Sequence, residues 1–233
     1  MISYNFILSN YCRPVCVLTQ TIFCYNLMIA PYFVVVNIAI IQKRRRKMQK
    51  LLFPDHPCER TVSLAREISG ATASAVCKKI EKLNSLSVEP ILLTIDSKGG
   101  DAEAGLKIYG AISVSSAPVI GLVLKEAWSS ALIVLQACQR RLAKRAATLK
   151  IHNVSRNFDL SVTVGDDLNL VLEKHIRQVT TYLKEVKNLQ DQIDILVAAR
   201  IGSVALVRRY SNEGKILPAQ QALKIGLIDD LVD

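Results

Sequence analysis

The chain predicts an α/β domain of stacked layers built on a mostly parallel sheet. Three observations carry this expectation. Between residues 59 and 138, runs rich in β-formers alternate three times with runs of helical spacing. Two of the β-runs, PILLTID (90–96) and PVIGLVL (118–124), are apolar almost throughout, the pattern of strands buried on both faces. Each is followed by a turn and an apolar helix, the order a parallel sheet requires.

Residues 1–55 form an atypical segment ahead of a domain at 56–233. From Val15 to Ile41 there are 27 residues without a charge, followed at once by QKRRRK. That length spans a bilayer, and the basic block favours keeping the rest of the chain on the cytoplasmic side. Pro31, Asn26, Asn37 and the Thr-Gln-Thr at 19–21 weaken its hydrophobicity, and a basic start and small-residue cleavage site are both missing. Three readings stay open: an untranslated or dispensable extension upstream of Met48, a membrane anchor over residues 15–41, or a targeting segment. The net charge of +10 is mostly local, since residues 1–54 hold seven Lys and Arg and no acid. The remainder is close to neutral, so a nucleic-acid partner is not expected. Six cysteines without a CxxC pairing read as reduced thiols, not a metal site or disulfide frame. No cofactor is implied.

In the domain, ERTVSLARE (59–67) reads as a strand with Val62 and Leu64 on one face. ATASAVCKKIEKLNSL (71–86) places Ala75, Val76, Ile80 and Leu83 near helical spacing. After PILLTID come the turn glycines Gly99 and Gly100, then Asp101 as N-cap of a helix carrying Ala104, Leu106, Ile108 and Tyr109. After PVIGLVL, an apolar helix runs from Ser129 to about Cys138. Residues 166–200 lack glycine and proline, and Leu172, Ile176, Val179, Leu183, Val186, Leu189 and Ile193 step by three or four. This is an amphipathic helix of roughly 30 residues, or about 45 Å, and its length marks it as an oligomerisation element.

Chemistry in such sheets collects at the carboxyl ends of strands, where the Gly99-Gly100 and Ser129-Ser130 turns fall. Serine becomes a nucleophile only with a base beside it and N–H donors aimed at the developing oxyanion. The chain has three histidines, and His152 follows a short strand-like run. His56 reads as a loop residue and His175 as a surface or interface residue. Ser130 offers a first-turn N–H, and Gly99 or Gly100 a second. By spacing alone, a serine and a histidine 23 residues apart also fit a helix cap and a buried imidazole.

From Glu59 to its C-terminus the chain resembles the proteolytic subunit of the Clp protease. IDSKGGDAEAGLKIY is similar to that family's I-(N/D)-S-P-G-G-x4-G-x-x-I-Y, with Lys98 in place of proline. AWSSA falls where the family carries A-A-S-M-G, and RLAKRAATLKIH keeps its Arg-to-His interval. LPAQQALKIGLIDDLVD resembles its terminal S-A-x-E-A-x-x-Y-G-L-I-D. The resemblance implies a crotonase-like layered fold of repeated β-β-α units with a long protruding handle helix. It implies Ser129 as nucleophile, His152 as base, and Gly99 and Ser130 as oxyanion donors. The third triad position falls on Gly214, where the family has Asp; a one-residue shift would let Glu213 orient His152, and otherwise the site is a Ser–His dyad. Lys125-Glu126, Trp128 and Ala131 also depart from the family's Gly-Gln, small residue and Gly. Trp128 would crowd the cleft or line it. The handle interval looks about seven residues longer than the family's, which is two helical turns.

The resemblance implies a serine endopeptidase subunit of stacked homo-oligomeric rings, cytoplasmic and fed unfolded polypeptides by an AAA+ unfoldase. The chain has no GxxxxGK(S/T) motif, so ATP use belongs to a partner. Two other readings compete: a catalytically silent structural subunit of such a ring, and a membrane-anchored peptidase with a lysine base.

Overall fold

The computed structural model describes residues 59–155 and 167–233. The 15–41 segment, the basic block, the 55/56 boundary and His56 lie outside the described residues. Seven strands form one sheet: β1 (Thr61–Leu64), β2 (Ile91–Ser97), β3 (Val119–Trp128), β4 (Arg140–Lys144), β5 (Thr148–Lys150), β6 (Ile216–Pro218) and β7 (Asp230–Val232). The helices are α1 (Gly70–Leu86), α2 (Ala102–Ser113), α3 (Ser130–Ala137), α4 (Leu168–Ile201), α5 (Val204–Glu213) and α6 (Ala219–Lys224).

The strand order β1-β2-β3-β4-β7 is parallel throughout. Because β1 to β4 advance one place at a time, crossovers of one hand lay α1, α2 and α3 side by side on one face. That explains a departure from the sequence reading of β2. Ile91, Leu93 and Ile95 are completely buried beneath the helices, but Leu92, Thr94 and Asp96 on the opposite face are only half-buried. One helix layer covers one face. Each buried aliphatic side chain contributes about 1.5–3 kcal/mol. In α1 the buried stripe is Ala73, Val76, Cys77, Ile80 and Leu83, whereas Ala75 faces solvent.

The first three strands are each followed by one helix, and two strands, β4 and β5, precede the long α4. Helix ends are satisfied by arginines. The Arg60 guanidinium donates to the carbonyls of Leu83 (3.0 Å), Ser87 (3.1 Å) and Glu89 (2.7 Å) at the end of α1. Arg200 of α4 donates to Gln136 O (2.9 Å) and Cys138 O (2.7 Å), orphan carbonyls at the end of α3. Arg141, buried in β4, pairs with Asp229 of the terminal GLIDD run and donates to Gln136 Oε1 at 2.8 Å.

Helix α4 has 34 residues, roughly 50 Å. Its C-terminal half is anchored by buried Leu189, Ile193, Val197 and Ala198, but Leu172, Ile176 and Leu183 are exposed. Asp167 caps it through Asn169 N–H at 2.9 Å, and Gly202 ends it in the left-handed region. The described cysteines, Cys77 and Cys138, are buried free thiols, and burial pushes the Cys138 thiol up to about 12.

Candidate active site

Strand β3 changes partner along its length. Ile120–Val123 pair with β4, an irregularity follows, and Glu126–Trp128 pair with β5. In that parallel register Trp128 lies level with Lys150, so the chain leaves both strands side by side at their carboxyl ends. Ser129 N–H donates to Lys150 O at 2.8 Å. This pairing brings Ser129 and His152, 23 apart in sequence, to the same end of the sheet.

Ser129 sits at the strand-to-helix turn with φ 51° and ψ −125°, and among the described residues no other non-glycine has positive φ. Such a conformation costs about 1–3 kcal/mol and persists where surrounding structure imposes it. Although Ser129 occupies the N-cap position of α3, its side chain makes no capping hydrogen bond. Its carbonyl instead accepts from Leu132 (3.0 Å) and Ile133 (3.3 Å), so the helix end is closed by main chain and the hydroxyl is not used as a cap. This strained turn is the device that presents a nucleophile in the hydrolase elbow.

The glycine turn lies against it. Gly99 (φ +94°) is so close that a Cβ would lie 2.6 Å from Trp128 O and 2.8 Å from Ser129 Cβ. At Gly100 (φ +146°) a Cβ would collide with Ile68 O. A latch missed in the sequence shapes this turn. Buried Ser97 donates its hydroxyl to Arg66 O (2.7 Å) and accepts from Gly99 N–H (3.1 Å). The Gly99 amide, expected as an oxyanion donor, is therefore engaged elsewhere. Gly100 N–H and Ser130 N–H have no partner among the described hydrogen bonds. The buried Ser130 hydroxyl donates to Gly100 O at 3.2 Å, tying the two turns together.

Ser129 and His152 line one cleft of about 120 Å³ with Gly100, Asp101, Ile133 and Ile193. No described hydrogen bond joins the two side chains. His152 Nδ1 lies 2.8 Å from the Asn153 carbonyl, and Asn153 Nδ2 donates to Asn212 Oδ1 at 2.9 Å. Glu213 does not approach the imidazole: its carboxylate pairs with Lys215 (3.2 Å) and Arg209 (4.0 Å). The residue beside His152 is Gly214, the left-handed C-cap of α5, where a Cβ would stand 3.9 Å from His152 Cβ. Trp128 neither crowds nor lines this cleft. Its Nε1 donates to Thr148 Oγ1 (3.1 Å), and the Lys98 and Lys150 ammonium groups lie 5.5 and 5.9 Å from its ring centre. Ala131 is wholly buried. His175 is partly buried on α4, away from the cleft lining.

A second unanticipated group holds the chain just beyond His152. Val154 N–H donates to Gln190 Oε1 (2.7 Å), Gln190 Nε2 to Asp194 Oδ1 (2.7 Å), and Arg208 Nε to Asp194 Oδ2 (3.1 Å). No periodicity marks Asp194 as a buried carboxylate, because its charged partner Arg208 comes from another helix. A strained serine, a nearby imidazole and two unpaired amides are the parts of an acyl-transfer site.

A family model described as Clp protease matches residues 46–233. Among curated proteins, the ATP-dependent Clp protease proteolytic subunit 2 of Treponema pallidum is 28% identical over 178 residues, covering 75% of this chain and 82% of that protein. Subunit 1 of Chlamydia muridarum is 26% identical over 176 residues, covering 74% and 86%. A solved mutant of ClpP1 from Listeria monocytogenes superposes with a TM-score of 0.63 at 21% identity, covering 75% of this chain and 91% of that one.

Proposed function

The chain belongs to the Clp protease family, and from that premise we propose that it is a serine endopeptidase subunit with Ser129 as nucleophile and His152 as base. The observation that carries this reading is the backbone of Ser129: strained, uncapped by its own hydroxyl, and opening into the cleft that His152 lines. Ser129 Oγ attacks the peptide carbonyl carbon while its proton passes to His152 Nε2. The carbonyl electron pair moves onto oxygen, where Ser130 and Gly100 N–H groups receive it. Collapse breaks the C–N bond, and His152 returns the proton to the leaving amine. Water activated by His152 then hydrolyses the acyl-enzyme and regenerates Ser129. Filling the cleft brings Oγ and Nε2 to hydrogen-bond distance, as unliganded sites commonly require.

The expected partners are those of the family: further copies of the chain in stacked rings, and an AAA+ unfoldase delivering unfolded polypeptides in the cytoplasm. The exposed stripe of α4 supports self-association. Among the described residues no helix is long and apolar enough to cross a membrane. One observation favours a silent structural subunit: Gly214 beside His152 brings no carboxylate, a deficit worth about 10⁴-fold in the serine-protease template. Labelling of the assembled full chain by a fluorophosphonate decides between them. Labelling abolished in Ser129→Ala and His152→Ala is expected; an assembled ring that takes no label overturns the peptidase reading.

A further inference from the structure

We propose that this chain orients His152 through the main-chain carbonyl of Asn153, with Asn212 and Gln190 as the positioning residues that hold this acceptor still; the inference rests on the roles proposed above for Ser129 and His152. A carbonyl oxygen only accepts, so the 2.8 Å contact assigns the proton of the neutral ring to Nδ1. Nε2 is then the unprotonated nitrogen, the form a base facing Ser129 needs. An orienting carboxylate ordinarily selects this tautomer, and here Gly214, where a Cβ would stand 3.9 Å from His152 Cβ, brings none.

A carbonyl one residue along the chain is a fixed acceptor only if its peptide cannot turn. Both ends of that short segment are clamped. The Asn153 side chain is held by Asn212 Oδ1 at 2.9 Å, and the Val154 N–H by Gln190 Oε1 at 2.7 Å. Gln190 is itself oriented, because its Nε2 donates to Asp194, which is 1% exposed. Arg208 closes the circuit by donating to Asp194 (3.1 Å) and Asp191 (2.9 Å). Arg208 and Asn212 are four residues apart on α5, so one face of that helix supplies one arm of the clamp and, through Asp194, braces the other, Gln190 of α4. Neither clamp residue lines the cleft, and both act through the peptide after His152.

The test is ¹⁵N spectroscopy of histidine rings in the assembled full chain at pH 8.5, with the His152 signals identified by their loss in His152→Gln. The expected wild-type pattern is protonated Nδ1 and unprotonated Nε2. In Gln190→Leu and Asn212→Ala, on different helices, protonated Nε2 should become populated. The kcat of a fluorogenic peptide should then fall about 10- to 100-fold with KM unchanged, short of the ~10⁴-fold cost of a wrong tautomer in the template. Protonated Nε2 in the wild-type protein overturns the proposal, as does an unchanged Nδ1 tautomer in both folded variants. If Ser129 takes no fluorophosphonate while the ring shows the expected tautomer, the peptidase reading fails and the assignment of the acceptor stands.

Discussion

Gly214→Asp should turn a weak site into a strong one. The backbone there has φ 57° and ψ 24°, a left-handed conformation that Asp adopts with a penalty of no more than about 1–2 kcal/mol. A Cβ meets only His152 Cβ, at 3.9 Å, an ordinary contact, so the first atom of the new side chain displaces nothing. The new carboxylate then competes with the Asn153 carbonyl for His152 Nδ1 and adds charge stabilisation of the imidazolium formed during attack. The template assigns an orienting carboxylate about 10⁴-fold, equivalent to roughly 5.5 kcal/mol at 1.36 kcal/mol per decade. Allowing for an orientation already half-supplied, the second-order rate of fluorophosphonate labelling should rise by about 10²–10⁴. Gly214→Asn, similar in shape but neutral, should not reproduce it. A folded, assembled Gly214→Asp protein that labels no faster than wild type would refute the placement of Gly214 at the orienting position, or of His152 as the base.

Three further outcomes are set by the geometry. Ser129→Gly relieves the positive φ and should raise Tm by about 2–4 °C at fixed protein concentration while abolishing labelling, a net gain of about 1 kcal/mol; a lower Tm would mean the turn is unstrained. Gly105→Ala puts a Cβ 2.8 Å from Ser130 Cβ, so overpacking of about 1–3 kcal/mol should outweigh the helix-propensity gain, lowering Tm and slowing labelling together as the Ser130 amide moves. At Asp229, burial pushes the carboxyl up, but hydrogen bonds and charge from Arg141 outweigh it and hold the group below its usual range. Its stabilisation is therefore complete above the ordinary carboxylate value near 3.9 and disappears as pH falls through the lower folded value. Asp229→Asn should cost about 2–3 kcal/mol at pH 7 in urea unfolding and flatten the acid limb; an unchanged limb would show that the pair contributes nothing.

The strands and helices were legible because their periods are local: Val62 with Leu64, the PILLTID and PVIGLVL runs, and the stepping from Leu172 to Ile193 each declare an element from within. The placement of Ser129 and His152 on one cleft was only half legible. Its spacing carries little information until the register of β3 on β5 is known, and that register depends on an irregularity within β3 that no residue advertises. The expected donor Gly99 shows the same limit: which of two adjacent glycines keeps a free amide is decided by Ser97, a residue inside the glycine-turn motif but silent in it. Glu213 was drawn toward His152 by adjacency in sequence, whereas on the helix it turns to Arg209 and Lys215. The Gln190–Asp194–Arg208 circuit was invisible because its members come from two helices and meet only in three dimensions.

Helix α4 carries two things on one uninterrupted rod: Gln190 and Asp194 near its base, and the exposed Leu172, Ile176 and Leu183 farther out. With no glycine or proline between Asp166 and Arg200, a tilt or rotation of the outer turns meets no flexible joint before the clamp on Val154. Covering the outer stripe with a second surface would therefore quiet the peptide that holds His152. With Ser129 and His152 in the roles proposed above, catalytic competence would then depend on chain concentration as well as on fold. On dilution, turnover per subunit would fall more steeply than loss of helical signal, and isolated chains would be spared cleavage chemistry until they have company.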